Sequence, residues 1–162
     1  MKRLWAPWRM EYMTGEPRPG CLFCRVLKDP ADPDADLVLW RPQGALVLLN
    51  KFPYNAGHAM VAPAVHKDEI GDLSDDETAD LMRALRRTIA VLRLSLKPQG
   101  FNVGVNMGRA AGAGIPDHVH FHVVPRWNGD TNFMPVLGEV KVVNEHLHAT
   151  AEKLREYFSA SS

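Results

Sequence analysis

The stretch His118-Val119-His120-Phe121-His122-Val123-Val124-Pro125-Arg126 restricts this chain more than any other. Side chains along an extended strand point to opposite faces in turn. The three imidazoles therefore share one face, and Val119, Phe121 and Val123 share the other. An apolar row of this kind packs on a core while the polar row lines a site. A run rich in Gly, Ala and Pro, from Gly108 to Pro116, leads into it. We read His118 to Pro125 as a strand of a sheet that carries chemistry on one side.

The rest of the chain accommodates such a sheet. Its 162 residues suit one compact domain with its own core. Hydrophobic residues at 46% and charged residues at 23% are ordinary for a globular protein. Lys plus Arg and Asp plus Glu both count 19. That balance argues against sequence-independent nucleic-acid binding, which needs a basic excess. No apolar run reaches the roughly 20 residues that span a bilayer, and the opening Met1 to Arg9 does not read as a signal peptide. The expectation is a cytoplasmic protein that works on neither nucleic acid nor membrane. The two cysteines, Cys21 and Cys24, form a Cys-x-x-Cys, which in that setting reads as a metal or redox pair.

Taken in order, residues 1–20 form an irregular arm carrying Trp5, Trp8 and Tyr12. A knuckle and short helix follow from Cys21 to Leu27, then a Pro/Asp-rich loop from Asp29 to Asp36. Leu37 to Trp40, Ala45 to Asn50 and His58 to Pro63 read as strands. Ser74-Asp75-Asp76-Glu77 is a capping box. It opens a long helix whose apolar stripe is Leu81, Leu85, Ile89, Leu92 and Leu96, with Arg83, Arg86, Arg87 and Arg93 as solvated positions. Phe101 to Asn106 is a strand, and Val140 to Val143 reads as an edge strand. Glu145 to Phe158 is a terminal helix with Leu147, Ala151, Leu154 and Phe158 facing inward. The expected class is α+β: one domain over residues 1–162, with about five antiparallel strands, one long helix and a C-terminal helix.

Three histidines on one face admit two chemistries. Residues two apart on a strand are separated by about 6.6 Å and residues four apart by about 13 Å. Those spacings strain against one metal ion bonded at roughly 2.0–2.1 Å. A division is easier, in which a histidine at one end joins ligands from elsewhere. The alternative is nucleophilic catalysis. An imidazole with a pKa of roughly 6.5 keeps a free lone pair at neutral pH. It can attack phosphorus and leave again, splitting one hard step into two. Neighbouring imidazoles, backbone N–H groups of the Gly-rich loop, Asn102 or Asn106, and Arg126 supply donors for phosphoryl oxygens. A phosphate ester or anhydride is the natural substrate class.

The His-φ-His-φ-His-φ-φ pattern followed by Pro125-Arg126 resembles the signature of the histidine triad superfamily, whose members bind nucleotides and hydrolyse or transfer nucleoside monophosphates. Leu48-Leu49-Asn50-Lys51 and Gly57-His58-Ala59-Met60-Val61-Ala62-Pro63 are similar to that family's nucleoside-binding half. Leu4-Trp5-Ala6-Pro7-Trp8-Arg9-Met10 and Pro125 to Phe133 resemble the branch of diadenosine tetraphosphate phosphorylases, which is related to the fragile-histidine-triad dinucleoside polyphosphate hydrolases.

The resemblance implies a histidine-triad fold and an enzyme that cleaves dinucleoside polyphosphates or related phosphoanhydrides at the α-phosphate. His120 would be the nucleophile and carry a nucleotidyl group passed to water or inorganic phosphate. His122 would donate to the phosphoryl oxygens. Asn50 would bind ribose, with Leu48 and Met60 beside the base or simply in the core. Asn106 would lie near the phosphate. Where many relatives have Gln, Ser or Thr in the Gly-rich loop, this chain reads Gly112-Ala113-Gly114, which leaves that task to backbone N–H groups. The resemblance also implies a zinc site of Cys21, Cys24, His66 and His118, with a structural role. The competing readings are a reduced cysteine pair in the core and a redox pair. A homodimer whose sheets extend across subunits is implied as well. Alternative functions are a nucleoside phosphoramidate hydrolase and a non-catalytic AMP or nucleotide sensor. His58 reads as a hydrogen-bonded structural histidine, and His146 and His148 as surface residues.

Overall fold

The structure, a computed structural model, describes residues 18–130 and 146–160. The expected N-terminal arm with Trp5, Trp8 and Tyr12 and the expected strand at Val140 to Val143 lie outside the described residues. The strands are β1 (Val38–Trp40), β2 (Ala45–Leu49), β3 (Ala59–Pro63), β4 (Gly100–Val105) and β5 (Phe121–Arg126). They form one antiparallel sheet in the order β1-β2-β3-β5-β4. Among the described residues three α-helices accompany it: α1 (Leu22–Lys28), α2 (Asp75–Leu96) and α3 (Leu147–Ala160). The class is α+β.

Strand alternation separates the two faces of this sheet. Val47, Leu49, Ala59, Val61 and Val123 pack against α2 and α3. Val38, Leu46, Leu48, Met60 and Ala62 face the other way, under Phe23 and Val26 of α1. Helix α1 is only seven residues long, and its core spans β1 to β3. The β5 and β4 end of that face is the part on which the histidines lie. A bulge between Val38 and Trp40 turns Trp40 to the helical side, where its ring stacks on Phe158 at 5.4 Å.

Ser74 caps α2 as its sequence predicts: its hydroxyl accepts from Glu77 N–H while the Glu77 carboxylate accepts from Ser74 N–H. Leu81, Leu85 and Leu92 are buried, joined by Ala84, Thr88 and Val91, while Ile89 and Leu96 are half-buried at the margin. Thr88 is tolerated in the core because its hydroxyl donates to the Ala84 carbonyl at 2.8 Å. Arg87 departs from the expected solvated face. It is half-buried and donates to the Phe158 carbonyl at 3.3 Å, tying α2 to α3. On α3, Ala151, Leu154 and Phe158 are buried and Leu147 is half-buried. Arg155 donates to the carbonyls of Val38 and Asp36, which fixes α3 on β1.

The strand boundary at the histidines also differs from expectation. Strand β5 begins at Phe121, so His118 and His120 precede it. The register pairs Val61 with Phe121, and the next matching pair would be Pro63 with Val119. Pro63 has no N–H to give the ladder. The chain therefore leaves the sheet at this point. Val119 N–H donates instead to the Lys67 carbonyl at 2.7 Å, and His118 Nε2–H donates to the Pro63 carbonyl at 2.9 Å.

Candidate active site and metal centre

Cross-strand pairing assembles the candidate site. Leu48 pairs with Met60, Met60 with His122, and His122 with Gly104, so these positions form one row on the α1 side of the sheet. Phe23 brings the other two histidines to the same side, its ring lying 4.9 Å from that of His118 and 5.0 Å from that of His120. The His120 and His122 rings meet edge to face at 4.9 Å. All three histidines share one side of the sheet, although only His122 belongs to a regular strand.

Backbone groups fix the proton on each ring. His118 offers its backbone carbonyl 2.8 Å from His120 Nδ1. A carbonyl only accepts, so His120 carries its proton on Nδ1 and keeps the Nε2 lone pair. His122 is set by a longer chain. Tyr54 N–H donates to His58 Nδ1 at 2.9 Å, which leaves the His58 proton on Nε2. That N–H donates to His122 Nδ1 at 3.0 Å. His122 therefore holds its proton on Nε2. Two adjacent imidazoles stand in opposite tautomers, one with a free lone pair and one with a free donor.

Electrostatics keep these rings neutral. Burial, then the neighbouring His120, push the His122 pKa down to about 4. Burial also holds His118 and His120 below the ordinary imidazole range, against the opposing effect of the carbonyls they donate to. Neutral imidazole is the form that serves as a nucleophile or a metal ligand.

From the sequence, His58 reads as a hydrogen-bonded structural histidine. The residue is fully buried, yet its Nε2–H sets the tautomer of His122, and the Tyr54 ring stacks on it at 4.6 Å. The signal that could have found it is strand parity: His58 and Met60 share a face, and Met60 pairs with His122.

The remaining sequence candidates are placed as follows. Asn50, expected within the second strand, directly follows β2, where its N–H donates to the His58 carbonyl at 2.8 Å and its Oδ1 accepts from Phe52 N–H at 2.9 Å. Asn106 follows β4, directly after the Val105–Phe121 pair that ends the ladder. Leu48 and Met60 are buried in the core under α1, with Ile115 packed alongside. Their burial is that of plain packing residues. In the Gly-rich loop, Ala111 and Ala113 N–H donate to the Gly108 carbonyl and Gly112 N–H to that of Arg109. The donors of Gly112 and Ala113 are thus turned into the loop itself, while Gly114 lies exposed beyond them. Arg126 makes a two-pronged contact with Asp130 and a bond to Asn102, which builds the turn after β5. His146 and His148 are exposed, as expected.

The second group of side chains lies on the far side of His118. Its Nδ1 is 3.3 Å from Cys21 Sγ, 3.8 Å from Cys24 Sγ and 3.3 Å from His66 Nδ1. Cys24 Sγ is 3.4 Å from His66 Nδ1. A tetrahedral zinc ion with Zn–S of about 2.3 Å and Zn–N of about 2.0–2.1 Å needs ligand separations of roughly 3.3–3.8 Å. Four of the six edges match, and all four ligand atoms lie within 4.8 Å of one another. With Nε2–H given to Pro63, the His118 Nδ1 lone pair is available as a ligand. Burial, then Cys21, push the Cys24 thiol upward, a cost that a cation would relieve. Both cysteines are free. The donor set fits zinc, and His118 divides between the two sites as the strand spacing requires: its ring faces the knuckle and its carbonyl holds His120.

The HIT domain family matches residues 34–129. This chain belongs to the HIT family. The histidine triad protein is 38% identical to an AP-4-A phosphorylase from Mycobacterium tuberculosis, over 95% of this chain and 83% of that relative. It is 33% identical to an adenosine 5'-monophosphoramidase from Schizosaccharomyces pombe, over 67% of this chain and 75% of that relative. Among solved structures, a Zn-bound histidine triad family protein from Mycobacterium smegmatis superimposes with a TM-score of 0.71 at 26% identity, covering 87% of this chain and 94% of that one.

Proposed function

We propose that this histidine triad enzyme, a nucleotide hydrolase or phosphorylase, cleaves dinucleoside polyphosphates at the α-phosphate through a nucleotidyl group carried on His120. The observation behind this reading is the pair of opposite tautomers. His120 Nε2 presents a lone pair, and His122 Nε2–H presents a donor beside it. In the first step the lone pair forms an N–P bond while the P–O bond to the leaving phosphate chain breaks. The His122 N–H donates to a phosphoryl oxygen as charge gathers there. The imidazole gains positive charge on nucleotidylation, and the His118 carbonyl on its Nδ1–H stabilises that charge. In the second step the oxygen of water or inorganic phosphate bonds to phosphorus, the N–P bond breaks, its electron pair returns to Nε2, and the proton of an attacking water passes to solvent.

Asn50 binds the ribose, Asn106 lies by the α-phosphate, and Gly112, Ala113 and Gly114 border the leaving phosphates. Leu48 and Met60 act beneath the base pocket as its floor. Cys21, Cys24, His66 and His118 hold a zinc ion, which when bound supplies a cross-link between α1 and the entrance to β5. We assign the chain, residues 1–162, to a single domain. A cytoplasmic setting accords with the free thiols that the zinc site needs. Strand β4 is one edge of the sheet, and exposed Val103 within it and Met107 just after it suit a homodimer joined through that edge.

Similarity to a phosphorylase favours phosphate as the acceptor, and the 33% identity to a phosphoramidase supports a second reading, cleavage of a nucleoside phosphoramidate. Incubation with diadenosine tetraphosphate, with and without inorganic phosphate, separates these. ADP plus ATP formed only with phosphate identifies a phosphorylase, and AMP plus ATP without it a hydrolase. Turnover of adenosine phosphoramidate alone would establish the second reading, and nucleotide binding without any turnover would leave a sensor.

A further inference from the structure

We infer that the Cys21–Cys24 knuckle is a lock on His120, with Phe23 and His66 as positioning residues for the reaction; this rests on the function proposed above. The two sites share one residue. The His118 ring supplies Nδ1 to the knuckle, and the His118 carbonyl is the group that holds the proton of His120 on Nδ1. They also share one packing element. Phe23 stands between the two cysteines in sequence, is fully buried, and lays its ring against both His118 and His120 at 4.9 and 5.0 Å.

The backbone makes this lock necessary. Residues 118–120 have left the sheet ladder, because Pro63 offers no N–H to them. Two bonds hold the segment, Val119 N–H to Lys67 in the chain after β3 and His118 Nε2–H to Pro63 at the end of β3. The latter is made by the same ring that faces the thiols, so ring position, carbonyl position and the His120 tautomer move together. A loosened knuckle frees the His118 ring to turn, releases its carbonyl from His120 Nδ1, and lets His120 sample the tautomer whose Nε2 is protonated and inert. A knuckle that merely stabilised the fold would leave the tautomer unchanged in every molecule that remained folded.

The test compares zinc-loaded wild type with three variants. His66→Ala removes an exposed ligand that touches neither His120 nor His122. Phe23→Ala removes the wedge. Leu46→Ala opens a cavity in the same core cluster and controls for packing loss. Steady-state kinetics with diadenosine tetraphosphate and imidazole 15N NMR of His120 are read together. In His66→Ala and Phe23→Ala, kcat falls on the order of 10- to 100-fold, as expected for a misplaced reacting group. KM changes less than about threefold, and the His120 signal moves from Nδ1-protonated to a tautomer mixture. Leu46→Ala keeps the wild-type signal and kcat. A His66→Ala protein that has lost its zinc yet keeps wild-type kcat and the wild-type His120 signal overturns the inference, as does an equal loss in Leu46→Ala. Should Phe23→Ala fail to fold, His66→Ala decides alone. A wild type that turns over no nucleotide refutes the proposed function, and the NMR comparison then still decides whether the lock exists.

Discussion

His58 Nε2 lies 3.0 Å from His122 Nδ1, and the Tyr54 backbone N–H lies 2.9 Å from the other nitrogen of His58. This relay makes a main-chain amide the origin of the His122 tautomer. A backbone donor cannot flip, so the direction of the relay is fixed as long as the turn is folded. The turn depends on Gly57, whose φ is +72° and where an added Cβ would lie 2.4 Å from Leu96 Cδ1.

Replacing His58 by Phe keeps the volume and removes the donor. We expect kcat to fall on the order of 10- to 100-fold, with AMP affinity nearly unchanged, because His122 can then carry its proton on either nitrogen. Parallel measurement of kcat and of AMP binding by calorimetry checks this. A loss confined to binding would assign His58 to substrate contact instead.

Gly57→Ala imposes a positive φ on a residue with a Cβ and drives that Cβ into Leu96. It should destabilise the protein by about 1–3 kcal/mol in urea unfolding and lower kcat through the displaced His58. A variant as stable as wild type would show that the turn can relax without cost.

The pH profile follows from His122, whose pKa is pushed down to about 4. A proton added to His122 goes to Nδ1, where it meets the His58 N–H, and a proton added to His120 takes its Nε2 lone pair. Burial holds both rings below the ordinary imidazole value of roughly 6.5, so activity should stay level as pH drops through that value, with the His122 limb falling toward about 4. Stability carries the same sign. A histidine that holds its proton more weakly when folded makes the unfolded chain the better proton binder. Stability is therefore complete above the unfolded value and is lost as pH falls from roughly 6.5 toward the folded one. A pH–rate profile with its acid limb centred near 6.5 would contradict this.

Cys24→Ser should bind less than one zinc per chain, where wild type binds one, and should lower the melting midpoint by at least about 4 °C. Metal analysis with calorimetry reads both. Retention of a full equivalent of zinc would place the ion elsewhere.

Much of this arrangement could be read from residue order. The alternation from His118 to Val124, the Ser74–Glu77 capping box and the α2 stripe are local patterns, and local patterns survive folding because one face or one turn decides them. What escaped depended on a partner distant in sequence. The start of β5 is set by Pro63, and that pairing is visible only once the register is known. His58 looked structural because its link to His122 crosses two strands. Arg87 looked solvated because the carbonyl it binds belongs to Phe158, on another helix. The resemblance named the four knuckle residues, but the shared role of His118 needed the positions of its ring and its carbonyl together.

The central claim is that His120 Nε2 takes the nucleotidyl group. The most direct measurement mixes enzyme with diadenosine tetraphosphate, quenches in base on the millisecond scale, and locates the label by peptide mass spectrometry. One nucleoside monophosphate is expected on the peptide containing His120, stable in base, lost in acid and absent from His120→Ala. Turnover without any such label, or a label that persists in His120→Ala, would contradict it.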